Sequence, residues 1–180
     1  MIIFRHPVAL AALSACFLSC SGPQANTPTI RKLDAARYSG VWHEIARLPN
    51  PFEKGLTAAK AIYQARPDGT LGVRNEGLKE DGTRTSITGT ARQPEQDDPG
   101  KLRVRFDPFP ANLFEGDYWI LETNAAYTRA VVGSPDKKFL WLLSKDPADG
   151  RKDFQAQIQG ARELGYATGE LYFNPKRIAD

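Results

Sequence analysis

The chain has 180 residues, 41% of them hydrophobic and 25% charged, with a formal net charge of +3. One globular domain with a sizeable core fits that length and composition. So modest a charge, with no arginine-lysine run or aromatic-basic ladder, excludes nucleic acid as an expected partner, and two cysteines four positions apart exclude a disulfide that staples a distant loop. Residues 1–19 read as a lipoprotein signal peptide: Arg5 and His6 form a polar start, and Val8 to Leu18 is apolar or small throughout. At eleven residues that run is too short to span a bilayer. Leu13-Ser14-Ala15-Cys16 and Phe17-Leu18-Ser19-Cys20 both resemble lipoprotein processing sites. Cys20 follows a full-length leader and precedes polar Ser21-Gly22, so acylation is assigned there, with Cys16 as the alternative. Residues 20–29 are then a lipidated polar tether.

Residues 30–175 read as the folded domain, followed by a tail over 176–180. Asp34 can cap a short helical turn over Ala35-Ala36-Arg37. After Gly40 the residues alternate, with Trp42, Glu44 and Ala46 on one face and Val41, His43 and Ile45 on the other, which is strand periodicity. Pro49 to Gly55 breaks the strand and forms a long loop carrying Phe52. Further strands are predicted over Thr57–Ala65, Thr70–Leu78, Thr83–Arg92, Lys101–Phe106, Gly116–Thr123, Tyr127–Gly133 and Lys138–Lys145, separated by Asp-Gly and proline turns. No crossover helix interrupts the series, so the expected fold is all-β: eight antiparallel strands in an up-and-down barrel, which removes edge strands and can hold one small ligand. Phe154, Ile158 and Ala161 fall at helical spacing between Gly150 and Gly165, predicting an α-helix packed outside the wall.

The run Arg37 to Pro49, with Gly40 and Trp42 at its centre, resembles the first strand of the lipocalin family, most closely the bacterial outer-membrane lipoprotein lipocalins. Glu53-Lys54-Gly55 is similar to the same loop in those proteins. Gly116-Asp117-Tyr118-Trp119 stands in the place of the family's second segment, with Gly116 where threonine is usual. Phe139-Leu140-Trp141-Leu142-Leu143-Ser144-Lys145 resembles the end of strand eight, with lysine where the family usually has arginine. The resemblance implies a barrel base sealed by Gly40, Trp42 and Lys145.

Parity places Glu44 and Ala46 on the inward face with Trp42, and Phe139, Trp141 and Leu143 on the inward face of strand eight. With Phe52 at the mouth, these are the expected ligand-binding residues, lining an apolar chamber that suits one acyl chain. The resemblance implies a fatty acid or lysophospholipid as ligand, envelope maintenance as role, and the periplasmic side of the outer membrane as location, with a structural envelope lipoprotein or a tetrapyrrole carrier as the alternatives. A second copy of the chain is a further candidate partner. No catalytic set, metal site or cofactor is expected: His6 lies in the leader, His43 has the wrong parity, and no Gly-x-Ser-x-Gly elbow is present.

Overall fold

The computed structural model describes residues 27–94 and 98–178. The leader, Cys16 and Cys20 lie outside the described residues. The chain crosses the barrel base as a single helical turn, α1 (Ala35–Tyr38), whose first turn is capped by the Asp34 carboxylate accepting from the Arg37 N–H. Eight strands follow in order: β1 (Gly40–Arg47), β2 (Leu56–Ala65), β3 (Leu71–Lys79), β4 (Arg84–Arg92), β5 (Lys101–Phe106), β6 (Gly116–Thr123), β7 (Arg129–Gly133) and β8 (Leu140–Ser144). Each pairs antiparallel with the next, and β1 pairs with both β8 and β2, so the sheet closes into an up-and-down barrel. The β1–β2, β3–β4, β5–β6 and β7–β8 connections therefore share one end, the mouth, and the others share the base with α1.

Beyond the barrel, a 3-10 turn over Arg151–Phe154 leads into α2 (Gln155–Glu163). Phe154, Ile158 and Ala161 bury one stripe of it against Ile45, Val131, Leu140 and Leu142 on the outside of the wall. Gly165, at φ +90°, ends the helix, with the Tyr166 N–H donating to the Ala161 carbonyl. A two-residue strand, β9 (Tyr172–Phe173), then pairs with Ala46 and Arg47 of β1. β1 thus shares one edge between two partners: Gly40–His43 bonds β2, and the stretch nearer the mouth bonds β9.

Two apolar clusters result, one inside the barrel around Trp42, Tyr63 and Leu143 and one outside under α2. Ala46 belongs to the outer one, which corrects the inward position expected from alternation. The β1–β8 register shifts between Glu44 and Ala46: Glu44 lies opposite Leu143, but Ala46 lies opposite Leu142. That bulge at Ile45 inserts one residue and inverts the parity above it. Ala46 and Leu48 turn outward, and Arg47 turns inward opposite Trp141. His43 does face outward, yet it is buried, as is its β2 partner Lys60.

Candidate ligand-binding site

The floor of the chamber is aromatic. Gly40 stands at φ +111°, a conformation that L side chains rarely adopt, and this lets the chain turn from α1 into β1 directly under the barrel. Trp42 is fully buried; its indole N–H donates to the Tyr38 carbonyl at 2.7 Å and its ring lies 4.9 Å from that of Tyr38. Lys145, just past the end of β8, reaches across from below. Its ammonium lies 5.1 Å from the Trp42 ring centre and donates at 2.8 Å to the carbonyls of both Arg37 and Ser39. Burial, and then the neighbouring Arg37 charge, lower the Lys145 pKa.

Against Trp42 packs a chain of three phenols that sequence reading did not anticipate. The hydroxyl of Tyr118 shares a hydrogen bond with Tyr38 and accepts one from Tyr63, each at 2.8 Å. Burial raises the pKa of all three, so they stay neutral. Their parity was readable, since Tyr63 and Tyr118 fall on inward positions; that their hydroxyls converge depends on the cross-barrel register.

Several side chains face inward and still keep accessible surface. They include Ala61, Phe106, Tyr118 and Trp141, all packed on the inner cluster. Asn75 has the inward parity of Leu71 and Val73, and its Oδ1 is buried with no hydrogen-bond partner. These inward residues retain surface that a ligand can cover. Leu143 lies on the inner cluster and is buried. Trp141 and Phe139 stack in near-parallel, with centroids 5.7 Å apart and planes at 5°. Phe52 lies 5.9 Å from Phe139 and is 80% exposed, so an aromatic row runs from the upper chamber to the rim.

A buried polar cluster fixes one side of the mouth. Asn50 precedes Pro51 and accepts from the N–H groups of Phe52 and Glu53, which shapes the loop and aims both side chains. Glu53 in turn accepts from the Trp141 indole N–H at 3.0 Å and from the Asn50 amide at 2.5 Å. Arg47, turned inward by the bulge, donates to Glu44 at 2.7 Å, to Asn174 Oδ1 at 2.6 Å, and to the carbonyls of Glu53 and Leu56. Asn174, just past β9, donates to the backbone carbonyl and the carboxylate of Glu44. Burial, then repulsion from Glu53 and a hydrogen bond with it, hold the Glu44 pKa well above the carboxylate range, and Arg47 only partly offsets this. The Arg47 guanidinium bonds the Glu44 carboxyl and lies 3.9 Å from that of Glu53, while burial favours the protonated form of Glu44. Beside it a recess of about 330 Å³ opens, lined by residues that include Arg47, Glu53, Lys54, Glu80 and Tyr172.

Of the residues expected from the sequence, Phe139, Trp141, Leu143 and Glu44 converge on the chamber and its mouth. Ala46 does not. Gly40, Trp42 and Lys145 meet at the base. Arg47, Glu53, Asn174 and the three tyrosines were missed.

Comparison with known proteins agrees with this geometry. Residues 33–176 match the lipocalin-like domain. The chain is 33% identical over 162 residues to the outer membrane lipoprotein Blc of Escherichia coli K12, covering 87% of this chain and 89% of that one. It is 34% identical over 152 residues to temperature-induced lipocalin-1 of Arabidopsis thaliana, covering 82% and 81%. Among solved structures, insecticyanin from the tobacco hornworm Manduca sexta superposes with a TM-score of 0.67 at 21% identity, over 84% of this chain and 85% of that one. Sequence match and barrel topology together establish that the chain belongs to the lipocalin family, barrels that bind small hydrophobic ligands.

Proposed function

We propose that the protein is an outer-membrane lipoprotein that stores or transports a fatty acid or lysophospholipid for envelope maintenance, one acyl chain per barrel, and acts by binding rather than catalysis. The observation that carries this reading is the inner face of the barrel: Trp141, Phe106 and Ala61 face inward and keep accessible surface. The chain enters past Phe52 and Phe139, runs along Trp141 and Leu143, and stops on the tyrosine floor. The polar head stays in the 330 Å³ recess, whose lining carries both signs of charge and so suits a head group that does the same. Asn75 offers an interior acceptor to a hydroxyl of the lipid. The similarity to outer membrane lipoproteins supports the location, with acylation at Cys20 as the anchor.

Native mass spectrometry of the protein with a series of fatty acids and lysophospholipids tests the reading. The expected result is a one-to-one complex whose affinity rises with chain length, by up to about 0.8 kcal/mol per methylene, until the chamber is full. Ala61→Phe, just above the floor, lowers the longest chain that binds, and Trp141→Ala weakens binding at every length. No complex across the whole series, with a folded barrel, would overturn the proposal.

A further inference from the structure

The large apolar side chains that the described surface leaves exposed are not scattered. Phe52 (80% exposed), Phe109 (78%), Leu113 (65%) and Phe114 (70%) all lie on connections at the mouth, and Tyr172 lies on β9 beside it. With eight strands in sequential order, the β1–β2 loop that holds Phe52 is diametrically opposite the β5–β6 loop that holds the other three. A plane touching both loops covers the opening. The chamber itself accounts for Phe52, through Phe139, but not for Phe109, Leu113 and Phe114, which are exposed to solvent.

The described chain starts along the wall between the two ends: Thr29 bonds Asp98 of the β4–β5 connection at the base, and Thr27 reaches the β7–β8 turn at the mouth. Thr27 is buried and its hydroxyl accepts from the Lys137 ammonium. Lys137 sits in the β7–β8 turn, the same turn that ends in Phe139 under Phe52. Cys20 is seven positions earlier, a reach of at most about 25 Å for extended chain. An acyl anchor at Cys20 is therefore within reach of the mouth.

From the apolar rim and a tether that reaches it, we infer that the barrel docks mouth-down on the bilayer, with Phe52, Phe109, Leu113 and Phe114 inserted among the lipids, so that an acyl chain passes between bilayer and chamber without crossing water. The inference rests on the proposed lipid anchor for its orientation. Acids and bases alternate around the rim, Glu80, Asp81 and Asp107 against Lys54, Arg84 and Lys138. Docking is therefore driven by apolar burial: it needs no anionic lipid and persists in salt, unlike a polybasic contact.

The test uses the mature protein extracted from membranes and returned to phosphatidylcholine vesicles. Nitroxide labels go on Asn112→Cys in the β5–β6 loop and on Ala126→Cys in a base turn; intact mass reports separately whether Cys20 is acylated. Docking predicts that the label at 112 collides several-fold more often with oxygen than with a water-soluble nickel complex, and that the label at 126 does the reverse. Phe109→Ser with Phe114→Ser returns the 112 label to water and slows vesicle-to-vesicle transfer of a fluorescent fatty acid about tenfold, with its affinity for the barrel unchanged. A water-exposed label at 112 on acylated protein overturns the inference, as does spin–spin broadening that places the rim against a second copy of the chain. If Cys20 carries no lipid, the anchor reading fails by itself, and the same label, on protein added to preformed vesicles, still decides docking.

Discussion

A single inserted residue redirects the chemistry of the mouth. Without the bulge at Ile45, alternation would put Ala46 in the chamber and Arg47 outside; with it, Arg47 meets Glu44, Glu53 and Asn174. Nothing in the Glu44-Ile45-Ala46 sequence announces a bulge, because it depends on the register that β8 imposes. The neighbouring inward positions, Trp42 below it and Trp141 and Leu143 on β8, were legible because alternation holds without interruption there. Glu44 then carries a pH signature. Its pKa is raised in the folded state, so the protonated carboxyl contributes stability that is fully present below about 4.5, its unfolded value, and is lost as pH rises through the elevated one. Glu44→Gln keeps the shape of the protonated acid and removes the titration. Denaturant unfolding at pH 4 should give similar stabilities for both proteins. Towards pH 8 the variant should become the more stable, with the gap growing by no more than about 1.4 kcal/mol per pH unit. Parallel pH profiles would mean that Glu44 is ionised in the fold throughout.

At the scale of elements, closure of the base depends on three pieces that meet at one lysine. The last carbonyls of a helical turn as short as α1 lack partners within it. Lys145, arriving from β8, supplies an ammonium to those of Arg37 and Ser39 while it rests near the Trp42 ring of β1. The resemblance to lipocalins led to the indole contact; the capping of α1 needed the structure, since no pattern in the sequence shows where the carbonyls of a four-residue helix point. Two roles give two measurable parts. Lys145→Ala should cost about 1.5–3 kcal/mol, chiefly the charged hydrogen bonds. A double-mutant cycle with Trp42→Phe isolates the ring contact, expected at about 0.5–2 kcal/mol. A coupling of zero would leave Lys145 as a cap for α1 and nothing more. α2 was legible for the opposite reason, since its apolar stripe is local and its stop at Gly165 is written in the sequence. β9 and Asn174 were not, because a two-residue strand has no period to detect, and Asn174 gains its meaning only where β9 lies along β1.

Across the whole molecule, the barrel puts its packed base and its ligand-accessible surface at opposite ends. The base is locked by Trp42, the tyrosines and Lys145, whereas the upper chamber keeps surface that a ligand can cover. A ligand that binds only the folded state raises its stability by mass action, about 2.7 kcal/mol at a hundredfold excess over Kd. For a domain of this size each kcal/mol moves the melting point by about 2–4 °C, so saturation with a chain of fitting length should raise Tm by about 5–10 °C. The variants separate the parts of the molecule. Trp141→Ala reduces the shift for every chain. Ala61→Phe removes the gain for the longest chains and keeps it for shorter ones, because it fills only the space above the floor. Phe109→Ser with Phe114→Ser leaves the shift intact in solution, since those rings touch the bilayer and not the chamber. Thermal unfolding of the four proteins against a chain-length series reads all of this in one experiment. A full shift in Ala61→Phe with the longest chains would place the lipid elsewhere than in the barrel, and with it the barrel interior would lose its claim to be the binding site.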